Sequence, residues 1–212
     1  MEATMIDQRI VDRAETLAEM APDDSVTAEV LAGREGRFTT ATPLAAPPVT
    51  YLEDTEAPAY VLTNKKRGIG LGSKRNTTAP AGERRTVILV TGRRTLCLVG
   101  GESSDDVIEV PHESVAKAVY STGFRGHRIG LRTPRQQYHC WIHRNTKESL
   151  LEASTEFIEA RQPEDPEPLD GDDASRLTYR GRPVTREQLA DQSEQSADDR
   201  SLTYRGQPLE DS

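Results

Sequence analysis

"TVILVTGRRTLCLVG" runs from Thr86 to Gly100 and holds two apolar stretches around Thr91-Gly92-Arg93-Arg94-Thr95. Both stretches have strand length and are rich in β-branched residues. Joined by a glycine-containing turn, they predict a β-hairpin. The same rhythm continues on either side. "AYVLT" (59–63), "GIGLG" (68–72), "DVIEV" (106–110), "VAKAVYS" (115–121), "HRIGLRT" (127–133) and "QYHCWIH" (137–143) are short apolar or alternating runs. Gly100, Gly101, Pro111, Gly123, Gly126 and Pro134 punctuate them. Many short strands at this spacing predict an all-β barrel or sandwich. The period changes once. In "NTKESLLEASTEFIEARQ", Leu150, Leu151, Ser154, Phe157 and Ile158 share one face of a helix. Asn145 and Glu148 are spaced as a capping box. The apolar side of that helix needs a partner, and the open end of a barrel would provide one.

"VILVTGRRTLCLVGG" followed by "DVIEVPHESVAKAVYSTG", "HRIGLRT", "YHCWIH" and a helix resembles the prokaryotic PH-like (pleckstrin-homology-like) domains. The features that carry the resemblance are Thr91 and Arg94 of the hairpin and the Val110–Pro111 step, and it covers about residues 59–161. It implies a mainly β fold: a PH-like barrel or sandwich of about seven strands capped by a C-terminal α-helix. It also implies a binding or localisation module and supplies no catalytic residues.

The flanks read differently. Ile6, Ile10, Ala14, Leu17 and Ala21 fall at helical spacing, and a second short helix is expected within Asp23–Gly33. Four prolines between 38 and 58 predict an extended connector. The expected organisation is a helical N-terminal arm (1–37), a Pro-rich connector (38–58), the PH-like domain (59–161) and an acidic, mostly disordered tail (162–212). The tail repeats itself, as "RLTYRGRPV" (176–184) and "SLTYRGQPL" (201–209). Each "LTY" could add to an exposed sheet edge.

Charge is segregated. The net charge is -8, but residues 60–145 hold 15 Lys/Arg against 6 Asp/Glu, whereas 1–59 hold 4 against 12 and 146–212 hold 8 against 17. No apolar run approaches the roughly 18 residues of a membrane span. "MEATMIDQRI" lacks the pattern of a secretory leader. A cytoplasmic protein is expected, with peripheral contact at the inner membrane face left open. Cys97 and Cys140 lie in apolar runs and are expected as buried thiols.

"TNKKRGIGLGSKRNTT" (63–78) invites a phosphate-loop reading, but Gly-Lys-Ser/Thr is missing, and Ser73 replaces the third glycine of a dinucleotide fingerprint. A strand remains, with Ile69 and Leu71 inward and glycines opposite, where backbone can approach closely. "HCWIH" would place His139 and His143 about 13 Å apart on a strand, too far for one zinc. No nucleophile–base pattern appears, so no enzymatic activity, cofactor or metal is expected. The candidate anion- or partner-binding residues are Lys65, Lys66, Arg67, Lys74, Arg75, Arg93, Arg94, Arg128 and Arg132. The expected partner is a protein or an anionic membrane surface. Nucleic acid is disfavoured because few aromatics interleave with the cations. The alternatives are a structural protein that self-associates through the two terminal helices, or a weak nucleic-acid binder.

Overall fold

The computed structural model describes residues 7–34 and 43–162, together with the backbone of 177–179 and 182–184. The chain divides into two units, Met1–Pro163 and Glu164–Ser212.

Two antiparallel sheets make the first unit. In the first, β1 (Pro58–Asn64), β4 (Thr86–Thr91), β5 (Arg94–Val99) and β6 (Asp106–Pro111) pair in that order. In the second the order is β3 (Thr77–Thr78), β2 (Ile69–Leu71), β9 (Gln137–Ile142), β8 (His127–Arg132) and β7 (Lys117–Ser121). All eight apolar runs form strands. The opening hairpin is β4–β5, with Gly92 and Arg93 as its tip. Ile88, Val90, Cys97 and Val99 of the first sheet meet Ile69, Ile129, Leu131, Cys140 and Ile142 of the second. Cys97 and Cys140 face each other across this core as free thiols, with Sγ atoms 3.6 Å apart. The helix Glu148–Glu159, here α3, closes the core with Leu151 and Ile158. Phe157 meets Tyr60 edge to face at 5.3 Å. This is the sandwich-plus-helix arrangement that a PH-like fold requires.

Three details depart from expectation. The α3 N-cap is Lys147, without a side-chain cap, so Asn145 and Glu148 do not form a capping box. A ninth strand, β3, carries no apolar signal. It exists because Gly68 and Gly70 let backbone close in. A methyl group at Gly68 would lie 1.8 Å from the Thr78 carbonyl oxygen, and one at Gly70 would lie 2.8 Å from that of Ser73. Gly68→Ala is therefore expected to cost about 1–3 kcal/mol, because the neighbour is backbone and cannot swing away. Thermal melts against Gly92→Ala, whose added methyl meets nothing within 4 Å, check this.

The third departure is the largest. The described part of the N-terminal arm packs on the first sheet. Helix α1 (Gln8–Met20) is capped by the Asp7 carboxylate, and α2 (Ala28–Leu31) by the Thr27 hydroxyl. With the connector they place Ala14, Leu17, Leu31, Leu44, Val49 and Leu52 against Val61, Val87, Leu89, Leu96 and Leu98. Strands β1, β4 and β5 are thus buried on both faces, while β6 leaves Asp106, Val107 and Glu109 exposed. Asp105, in the β5–β6 loop, accepts the Ala45 and Ala46 N–H groups and the Tyr51 hydroxyl, fastening the connector. Helices α1 and α3 both spend their apolar faces inside the chain. That removes the sequence argument for self-association through them. The described acidic residues between 7 and 34 belong to this segment on the first sheet.

His112, in the short turn after β6, is 1% exposed and lies 2.9 Å from the Thr95 hydroxyl through Nε2. Burial, then Arg161, push its pKa from 6.5 down to about 4. The folded state holds it neutral, while the unfolded chain protonates it near its ordinary value. Stability is full above that value and falls as pH drops toward 4, by about 2 kcal/mol between pH 7 and 5. Urea midpoints at the two pH values should converge in His112→Gln, whatever its absolute stability.

In the second unit, Leu177–Tyr179 pairs antiparallel with Arg182–Val184. The second copy, and the expectation of a disordered tail, lie outside the described residues.

Candidate functional site

The outer face of the second sheet follows from strand alternation. Ile129, Leu131, Tyr138, Cys140, Ile142 and Ala118 point into the core. Lys117, Val119, Arg128, Gly130, Arg132, His139 and Trp141 therefore point out. None of the five strands contains an acidic residue. Neither chain stretch that builds the sheet does so, from 57 to 82 or from 114 to 147. The acids of the basic middle go elsewhere. Asp105 holds the connector, and Asp106 and Glu109 belong to β6.

Registers sort the nine predicted cations into three groups. Arg132 pairs with Gln137 and with Lys117, and the Gly72 N–H donates to the Gln137 carbonyl. Lys74 and Arg75 sit in the turn that follows Gly72, so they join Arg132 and Lys117 at one end of the sheet. That turn is held by the Ser73 hydroxyl, which accepts the Arg75 and Asn76 N–H groups. At the other end, Trp141 N–H donates to the Gly68 carbonyl and His143 N–H to the Thr63 carbonyl. These bonds bring Lys65, Lys66 and Arg67 beside β9. Arg67 lies over the Trp141 ring at 4.4 Å and Arg128 at 6.0 Å. An open cleft of about 480 Å³ lies here, lined by Lys65, Lys66, Arg67, Phe124, Arg125 and Arg144 among others. Burial first, then Arg128 and Lys74, lower the His139 pKa. Burial, then Lys65, Arg144, Arg85 and His127, lower that of His143. Both histidines thus sit among cations.

Arg93 and Arg94 stand apart. They lie at the Thr91 end of β4, whereas Lys65 follows Asn64 at the Thr86 end, about 16 Å along the strand. Arg94 grips Glu56 with two bonds, Nη2–Oε2 at 2.7 Å and Nε–Oε1 at 3.0 Å, and Glu109 with a third at 2.7 Å. Arg93 pairs with Glu53 at 2.8 Å. The Thr91 and Arg94 that carry the family resemblance thus form a structural clasp. The sequence missed Phe124, Arg125 and Arg144. The signal available for them was the acid-free run from 114 to 147.

His127 and His143 have structural partners. His127 Nε2 donates to the Arg144 carbonyl at 2.8 Å, and His143 Nδ1 accepts the Asn145 N–H. His139 is 3% exposed, opposite Gly70 and Gly130. Among the described residues no three His, Cys, Asp or Glu side chains converge to hold a metal. No described helix is long and apolar enough to cross a membrane.

No family model matches the chain. No curated protein matches it either. Among solved structures, the Vps36 N-terminal PH domain is similar at 17% identity and a TM-score of 0.39, over 51% of this chain and 83% of that one.

Proposed function

We propose that this chain is a non-enzymatic docking module whose second sheet presents a basic outer face to an anionic partner. One observation carries the reading: the stretches that build that sheet bring together Lys66, Arg67, Lys74, Arg75, Lys117, Arg128 and Arg132 without an acidic residue among them. A solvated surface normally intersperses both signs, and a one-sign field serves steering and recognition. The described part of the N-terminal segment packs its apolar side chains on the first sheet. Arg93 and Arg94 are left out of the docking set because they are neutralised by Glu53, Glu56 and Glu109. The cellular setting we propose is cytoplasmic.

Trp141, the chain's one tryptophan, lies on this face and reports on it. Titration of full-length protein with polyglutamate in low salt should change its emission, and salt should reverse the change. Reversing Lys74, Lys117 and Arg132 to Glu should weaken binding by about 100-fold or more, at about 1 kcal/mol for each cation near an anionic surface. Unchanged emission in low salt, or equal binding by the variant, would count against the reading.

A further inference from the structure

The chain has two cysteines, and the fold brings them into contact. Cys97 stands in β5 and Cys140 in β9, one on each sheet. Both are buried, and their Sγ atoms lie 3.6 Å apart in the core. Isoleucines flank each sulfur at the same level of its sheet. Ile88 and Ile108 stand beside Cys97, and Ile69 and Ile129 beside Cys140. Among the described residues no His, Asp or Glu completes a metal site with them. A single buried thiol is a small apolar filler. Two in contact have a chemistry of their own. A disulfide needs the sulfurs to close from 3.6 Å to about 2.05 Å, an approach of about 1.5 Å.

We propose that Cys97 and Cys140 form a thiol-oxidation site, which a small neutral peroxide converts to a disulfide across the sandwich. One thiol takes an oxygen from hydrogen peroxide, becoming a sulfenic acid and releasing water. The second sulfur attacks the first, the S–S bond forms, and the hydroxyl leaves with the second thiol's proton as another water. Two electrons pass from the sulfurs to the peroxide. The resolving thiol is already in contact, so oxidation stops at the disulfide instead of adding further oxygen. The product leaves no charge and no S–H group among the isoleucines. Contact with Cys140, then burial, push the Cys97 thiol pKa up, which makes the pair slow to react. Transient parting of the sheets admits the oxidant. The bond closes a loop between positions 43 residues apart. It ties β9, which joins β2 to β8 and carries Trp141, to β5 of the first sheet. This site stands whether or not the docking reading holds.

The test holds the reduced full-length chain in excess hydrogen peroxide under native conditions, then unfolds it with an alkylating agent that caps any remaining thiol. The cysteine peptides are mapped without reductant, apart from the three methionines, which take up oxygen themselves. The peptides of Cys97 and Cys140 should appear linked, uncapped and lighter by two hydrogen atoms, in a chain of unchanged mass class by gel. The melting temperature should rise by roughly 5–15 °C and return on treatment with dithiothreitol. Cys97→Ala and Cys140→Ala should show no such rise; if either fails to fold, the map of the parent chain decides. Thiols that remain fully capped after prolonged peroxide, a sulfinic acid on either cysteine, or a bond between two molecules would overturn the proposal. A linked chain that melts no higher than the reduced one would overturn the tie between the sheets.

Discussion

Replacing Arg94 with Ala is expected to destabilise the protein by about 3–5 kcal/mol, the cost of leaving a buried carboxylate without its cation. Glu56 is 4% exposed and has few other partners. The Thr91 hydroxyl reaches its Oε1 at 2.8 Å, and the Glu53 N–H donates to its Oε2 at 3.2 Å. Burial alone would raise the Glu56 pKa. The bonds from Arg94, Thr91 and the Glu53 backbone outweigh that and hold it below the usual carboxylate value. The pair's contribution is therefore present above the carboxylate range and fades as pH falls through the depressed pKa. In Arg94→Ala the lowering from Arg94 is gone and burial acts with little opposition. The penalty should shrink as acid neutralises Glu56. A Glu56→Gln, Arg94→Ala double variant should lose less than the sum of the single changes. A chain of this size should lose roughly 10 °C of melting temperature in Arg94→Ala at neutral pH. A loss within about 0.5 kcal/mol would mean that the clasp is ordinary surface chemistry.

A fragment limited to residues 58–162 is expected not to fold cooperatively. It retains the sandwich and α3, but exposes Val61, Val87, Leu89, Leu96 and Leu98, now covered by the N-terminal segment. Each such side chain contributes about 1.5–3 kcal/mol when buried. The sum is on the order of 10 kcal/mol, comparable to the whole stability of a typical domain. The fragment also loses Glu56, which leaves Arg94 without its principal partner. Broad melting and strong binding of an apolar dye are the expected signs. A soluble fragment with a sharp transition would show that the segment is dispensable.

The strands were legible because each apolar run is short and bounded by turn residues. The cover on the first sheet was legible in principle. β4 and β5 are apolar at nearly every position instead of alternating, which is how strands buried on both faces read. β3 was not legible, because two threonines give no pattern and their pairing depends on space left by Gly68. Nor was the fate of Arg94, whose partner Glu56 lies 38 residues away. The candidate site was half legible. Its sign was plain from composition. Its division was not, since Arg93 and Arg94 look like Lys65 and Lys66 until registers place them at opposite ends of a strand. Joining Arg67 to Trp141 required the β2–β9 pairing, some 70 residues apart in sequence.

The most direct test of the account is a residue-resolved map of amide shifts in the full-length chain on titration with polyglutamate in low salt. The account predicts shifts concentrated at Lys66, Arg67, Lys74, Arg75, Lys117, Arg128, Arg132 and the Trp141 indole, with Arg93 and Arg94 silent. Shifts centred on the Arg93–Arg94 tip or the N-terminal segment, with the second sheet unmoved, would contradict it.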